Sequence, residues 1–173
     1  MSSAGAKADP HGIDWQRWQP TMRATLLFAL RGDEVLLIHK KRGLGAGKVN
    51  APGGKIDPGE SAAEAAVREV QEEVRIDVRE AQEMGVLRFQ FVDADRLALH
   101  CTVFTATEFA GEPCETEEAL PFWCAKREVP YAEMWADDKY WLPGMLEGRR
   151  FDADFVFDDE LLLWREIRWR EHP

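Results

Sequence analysis

Gly53–Ile76, GGKIDPGESAAEAAVREVQEEVRI, is the stretch on which the reading of this chain turns. Its second half has the pattern of a helix. Ala63, Ala66, Val67, Val70 and Val74 recur at helical spacing and form a small apolar face suited to packing on a sheet. Ser61, with Glu64 three residues on, is a capping-box signature and marks the helix start. Glu69, Glu72 and Glu73 fall at i, i+3 and i+4, so their carboxylates leave one side of the helix. Like charges so placed weaken a helix by about a few tenths of a kcal/mol per pair. A hard divalent cation offsets that repulsion, and Mg²⁺ prefers carboxylate oxygens. Ahead of the helix, Pro52-Gly53-Gly54 and Asp57-Pro58-Gly59 make a turn-rich loop whose backbone can approach phosphates closely.

The same residues resemble the Nudix box. Gly54, Glu60, Arg68-Glu69-Val70, Glu72-Glu73 and Ile76 follow its spacing, and Arg75 stands where the pattern has glycine. A glycine there ends the helix in the left-handed conformation; an arginine costs about 1 kcal/mol, so a reshaped helix exit is expected. An isolated acidic patch is usually a solvated helix face, but the long match argues against that here. The resemblance implies an α/β fold, an α/β/α sandwich around a mixed sheet, whereas the strand and helix pattern alone supports only α+β. It also implies Mg²⁺, or Mn²⁺ in its place, held by Glu69, Glu72, Glu73, the Gly53 carbonyl and Glu118. Glu73 or Glu118 would act as the base, and Arg68 would orient a carboxylate.

The 173 residues are most simply one domain, with 45% hydrophobic and 31% charged residues. The net charge of −10 argues against a nucleic-acid polymer as partner, but not against a nucleotide neutralised by a cation and a few basic side chains. Cys101, Cys114 and Cys124 lack metal-ligand spacing and read as buried free thiols. No run has membrane-spanning length and the N-terminus has no signal-type core, so a cytoplasmic protein without a membrane partner is expected, and a monomer.

Residues 1–20 read as a flexible N-terminal arm, with Trp15 and Trp18 able to pin part of it, and 21–173 as the domain. Ala24–Leu30 and Val35–Ile38 form a first hairpin across Arg31-Gly32-Asp33. Lys40-Lys41-Arg42 and a glycine-rich loop follow. A second hairpin joins Val86–Val92 to Leu97–Thr105, and Phe122–Cys124 is a short strand. A helix is expected from Tyr131, interrupted at Pro143, and Phe151–Phe157 with Leu161–Arg168 closes the sheet.

Beyond the box, Lys40-Lys41-Arg42-Gly43, Asn50 before Gly53-Gly54-Lys55, Phe89-Gln90-Phe91 and Met134–Trp141 resemble the animal-type oxidised purine nucleoside triphosphatases. Trp135 offers a flat ring for stacking a base, worth about 1–3 kcal/mol. Asp137 and Asp138 are adjacent carboxyls that do not both stay ionised once a ligand excludes water. One protonated and one ionised, they can read a purine edge, and Asn50 can grip another. The resemblance implies substrate contacts from Thr25, Lys40, Asn50, Pro52, Gly53, Gly54, Lys55, Phe89, Phe91, Trp135, Ala136, Asp137 and Asp138. Leu44 and Ala98 stand where those enzymes have Phe and Met, which implies a roomier base pocket. The implied activity is hydrolysis of oxidised purine nucleoside triphosphates, such as 8-oxo-dGTP and 2-hydroxy-dATP, to monophosphate and pyrophosphate. Another nucleoside diphosphate derivative, ADP-ribose or a dinucleoside polyphosphate, and a catalytically silent nucleotide-binding module are the alternatives. The Trp135-Asp137-Asp138 group disfavours the first, and the intact glutamates disfavour the second.

Overall fold

Leu27 and Ala29 are buried against one apolar cluster, and Phe28 between them against another. The next strand repeats the pattern, with Leu36 and Ile38 facing one way and Val35 and Leu37 the other. Both faces of these strands are therefore covered, which is why their sequence is continuously apolar rather than alternating. The computed structural model describes residues 10–171. Residues 1–9 of the expected arm lie outside them.

In chain order the elements are β1 (Met22–Arg31), β2 (Glu34–Lys40), β3 (Val49–Asn50), β4 (Gly53–Lys55), α1 (Ala62–Val74), β5 (Asp77–Val78), β6 (Gln82–Phe91), β7 (Ala98–Ala106), β8 (Phe109–Ala110), β9 (Ala119–Ala125), α2 (Asp138–Leu146), β10 (Phe151–Asp158) and β11 (Leu161–Trp169). Nine strands make one mixed sheet in the order β11-β10-β6-β7-β1-β2-β3, with β4 on β1 and β9 on β2. The β1–β7 and β6–β10 pairs are parallel and the remaining pairs antiparallel. α1 lays Ala66, Val70 and Val74 on the Leu27–Ile38 face, and α2 lays Trp141, Leu142 and Met145 on the Phe28–Leu37 face. The result is the expected α/β/α sandwich. No helix among the described residues is long and apolar enough to cross a membrane.

Three local expectations change. The segment from Tyr131 is not yet helix: a 3-10 turn spans Tyr131–Glu133, Met134 is extended, and α2 starts only at Asp138. Pro143 lies inside α2 without interrupting it, because the burial of Trp141, Leu142, Met145 and Leu146 holds the turns on both sides. Among the cysteines only Cys101 is buried; Cys114 is exposed and Cys124 half-buried, all three free.

Residues 10–20 are pinned as the two tryptophans suggested. Trp15 stacks on Trp164 with centroids 6.1 Å apart, and Trp18 Nε1 donates to Gln90 Oε1 at 2.9 Å. The Arg88 guanidinium lies over both indoles and donates twice to the buried Asp154.

At the helix exit, Arg75 takes the left-handed conformation itself (φ 64°, ψ 28°), and its N–H bonds the Gln71 carbonyl. The exit is thus not reshaped; the side chain tolerates a conformation that glycine takes without cost. Arg75→Gly should raise unfolding stability by up to about 1 kcal/mol, read from urea denaturation midpoints. A lower midpoint would show that Arg75 makes a compensating contact.

Candidate active site

α1 begins where the sequence indicated: Ser61 Oγ accepts from the Glu64 N–H at 3.1 Å. Four residues further, Arg68 spreads its guanidinium over the acidic face. It donates to Glu60 at 2.7 and 2.8 Å, to Glu69 Oε1 at 2.9 Å, to Glu72 Oε2 at 3.2 Å and to the Lys55 carbonyl at 3.0 Å. The hydrogen bonds from Arg68 lower the Glu60 carboxyl to about 2. This one side chain ties the loop before the helix to the helix itself.

Glu69 and Glu73 then project towards Glu118, and one ligand atom from each lies within 4.8 Å of the others. Burial raises Glu69 despite its bond to Arg68, and raises Glu73 to about 8 despite the Gly53 N–H at 3.4 Å. One buried and two partly buried carboxylates converge here. Such an all-oxygen donor set fits a hard divalent cation. Gly54 leaves room beside it: a Cβ there would come within 2.6 Å of a Glu69 carboxylate oxygen and push that carboxylate aside.

Glu118 reaches this point through contacts invisible in the sequence. Thr116 Oγ1 donates to the Glu73 carbonyl at 2.7 Å and accepts from the Glu118 N–H at 3.2 Å. Lys41 N–H donates to the Glu118 carbonyl at 2.9 Å, and Lys41 Nζ holds Glu115 and the Thr116 carbonyl. Arg42 Nη2 donates to Glu118 Oε1 at 2.8 Å.

A cavity of about 720 Å³ runs from these carboxylates to a second, apolar end, a size suited to a small-molecule ligand. The far end holds Asp137 and Asp138, 1% and 5% exposed. Trp141 Nε1 donates to Asp137 Oδ2 at 2.8 Å, which favours the ionised form there. Burial raises Asp137 to about 6, and burial with the neighbouring charge raises Asp138 well above the carboxylate range. Both carboxyls are therefore held towards the protonated form, with the Trp141 bond favouring charge on Asp137. Trp135 stands edge-on to Phe91 and Phe157, with Lys48 Nζ 5.3 Å from its ring centre. Gly45 passes so close that a Cβ would sit 2.7 Å from the Trp135 indole nitrogen. Asn50 Oδ1 accepts from the Ala51 N–H at 2.9 Å, leaving the carboxamide N–H groups for a ligand.

Residues 20–145 match the NUDIX domain. The chain belongs to the NUDIX family. It is 38% identical over 136 residues to the mouse oxidized purine nucleoside triphosphate hydrolase, covering 79% of this chain and 86% of that protein. With the Danio rerio protein of the same name it shares 40% over 133 residues, covering 77% and 85%. Among solved structures, a MutT protein from Bacillus halodurans superposes with a TM-score of 0.76 at 31% identity, covering 84% of this chain and 97% of that one.

Of the residues anticipated for this NUDIX site, Thr25, Lys40, Asn50, Gly53, Gly54, Lys55, Glu69, Glu73, Phe89, Phe91, Glu118, Trp135, Asp137 and Asp138 line the cavity. Pro52 and Ala136 do not; Pro52 is buried and accepts from the Leu27 N–H, and Ala136 packs on the core. Glu72 stays with Arg68, apart from the Glu69–Glu73–Glu118 group, because residues i+3 and i+4 diverge to either side of residue i. The base-pocket assignment shifts too. Leu44 lines the cavity, but Ala98 does not; Leu99 and Cys101 supply the wall from β7. Strand alternation puts Ala98 on the other face. Met22, Ala24, Leu26, Ile38, Leu87 and Phe157 add to it, unforeseen because a pocket wall of apolar strand residues looks like core.

The acid pair predicts a pH dependence. Carboxyls raised in the fold favour the protonated folded state, so their stabilising effect is complete below about pH 4. It is lost as pH climbs through about 6 and beyond. Glu73 acts with the same sign up to about 8. Asp138→Asn, neutral at every pH, should flatten the fall in melting temperature between about pH 5 and 8 relative to the parent. Equal slopes would place the proton elsewhere.

Proposed function

We propose that this NUDIX chain hydrolyses oxidised purine nucleoside triphosphates, such as 8-oxo-dGTP and 2-hydroxy-dATP, to monophosphate and pyrophosphate. One observation carries the reading: a single cavity holds a three-carboxylate cluster at one end and a buried Asp137–Asp138 pair at the other. The names of the mouse and Danio rerio relatives agree with it. The acting unit on this reading is the domain 21–173 with its arm 1–20, a cytoplasmic monomer acting on nucleotides rather than on polymers or membranes.

Glu69, Glu73 and Glu118, with the Gly53 carbonyl, would hold Mg²⁺, or Mn²⁺ in its place; Glu72, also expected among the ligands, is bonded to Arg68. The bound cation supplies positive charge against phosphate oxygens, where negative charge grows during displacement. Arg68 fixes Glu69 and so the direction of the cluster. Glu73 is buried within the cluster, a position from which it could take a proton from water beside the cation. Glu118 is the alternative acceptor. Lys40 and Lys55 border the cavity beside the cluster and meet phosphate charge. At the other end the base stacks on Trp135 between Phe89 and Phe91. Asp138 donates to the purine edge, Asp137 accepts, and the Asn50 carboxamide donates from the side.

Glu73→Gln should lower kcat at least ~100-fold, the scale of withdrawing a proton acceptor or charge stabiliser, while the melting temperature holds or rises. The assay is pyrophosphate release with Mg²⁺ from a panel of 8-oxo-dGTP, 2-hydroxy-dATP, dGTP and ADP-ribose. Parental turnover by Glu73→Gln would reject the site, and ADP-ribose as the best substrate would reject the substrate class.

Selectivity should be shallow in the parent because Leu44 and Leu99 leave the base loosely held. Adding an aromatic contact is worth about 1–3 kcal/mol, so Leu44→Phe with Leu99→Met should raise the kcat/KM ratio of 8-oxo-dGTP over dGTP about tenfold. An unchanged ratio would leave discrimination to Asn50, Trp135 and the aspartates.

A further inference from the structure

Glu118 has two claimants. Its carboxylate completes the cluster with Glu69 and Glu73, yet one of its oxygens is bound by Arg42 at 2.8 Å. Its backbone is held separately, by the Lys41 N–H at its carbonyl and the Thr116 hydroxyl at its N–H. The carboxylate can therefore change partner while the loop keeps its place. Arg42 lies on the rim of the same cavity, its side chain 60% exposed, and Glu118 is its one ion-pair partner among the described residues.

From this geometry we propose that Arg42 is a positioning residue that occupies Glu118 while the cation is absent, yields it when the cation binds, and then turns its guanidinium onto the phosphates of the substrate. The inference rests on the triphosphate hydrolase reading above. Its physical basis is competition. A carboxylate oxygen engaged by a guanidinium N–H is less available to a cation, and an arginine released at a rim is matched by its planar fork to phosphate oxygens. An exposed ion pair is weak enough to be displaced, so the exchange is a small bias rather than a lock. Arg42 also leads directly into the Gly43–Gly47 loop that carries Leu44 and presses on Trp135. The exchange thus links the carboxylate end of the cavity to its base end.

The test measures Mn²⁺ binding by the full chain without nucleotide, by electron paramagnetic resonance, in the parent, Arg42→Gln, Glu118→Gln and the double variant. Removing the competitor should tighten Mn²⁺ about two- to fivefold in Arg42→Gln, the range of an exposed ion pair. In the Glu118→Gln background the same substitution should change affinity less than that. A residue that merely supports the fold would weaken binding instead, and a simple loss of nearby positive charge would tighten it equally in both backgrounds; either result overturns the proposal. The second arm is kinetic: Arg42→Gln should raise KM for the triphosphate about tenfold, the worth of a charged hydrogen bond, with most of the loss of kcat/KM in KM. An unchanged KM overturns the phosphate role. Absence of Mn²⁺ binding in the parent would overturn the metal site itself, and this proposal with it, whereas equal binding by the parent and Arg42→Gln overturns this proposal alone.

Discussion

The guanidinium of Arg68 is the contact on which the site depends. A helix face with glutamates at i, i+3 and i+4 repels itself, and burying two of those carboxylates adds a desolvation cost. Arg68 offsets the repulsion by donating to Glu60, Glu69, Glu72 and the Lys55 carbonyl at once, whereas Glu73, which it does not bond, stays raised by burial. Glu60 and Glu69 hold its own charge far from titration, so the donor side of the arrangement does not change at ordinary pH. With Glu69 aimed and Gly54 beside it, the loop Gly53–Glu60 and the helix become one rigid piece. Rigid placement of the carboxylates is what a charge-stabilising site needs.

The sheet sets the distance between the two ends of the cavity. β1 faces α1 with Leu27 and Ala29 and α2 with Phe28, and it contributes Thr25 and Leu26 to the cavity between. β4 pairs with β1 through Gly53 and Gly54, bringing the turn-rich loop against the strand. β6 and β7 carry Phe89, Phe91, Leu99 and Cys101 along the same opening. α2 brings Asp137 and Asp138 to its floor, locked by the fully buried Trp141. Phosphate-side and base-side chemistry thus come from opposite layers of one sandwich.

Differences between the sequence reading and the structure have local causes. Tyr131–Asp137 carries helix-forming residues, yet its backbone breaks into a 3-10 turn and an extended Met134 before α2. That break carries Trp135 to the cavity. Pro143 signals interruption on propensity alone, and packing outweighs it. Ala98 and Leu99 are neighbours in sequence but point to opposite faces, so a one-residue difference in register decides which lines the pocket.

Local spacing alone specified the α1 helix, its Ser61 cap, the acidic face with Arg68, the three hairpins and the aromatic–aspartate group near residue 137. Each is written in local spacing, which helical and strand periodicity convert directly into geometry. It did not determine which glutamates converge, or that Thr116 and Lys41 carry the Glu118 loop to α1. Those depend on side chains about 40 to 75 positions apart meeting across the sheet, where no local period records the contact. Chain spacing sets which face a residue occupies, and only the packing of faces decides what it meets.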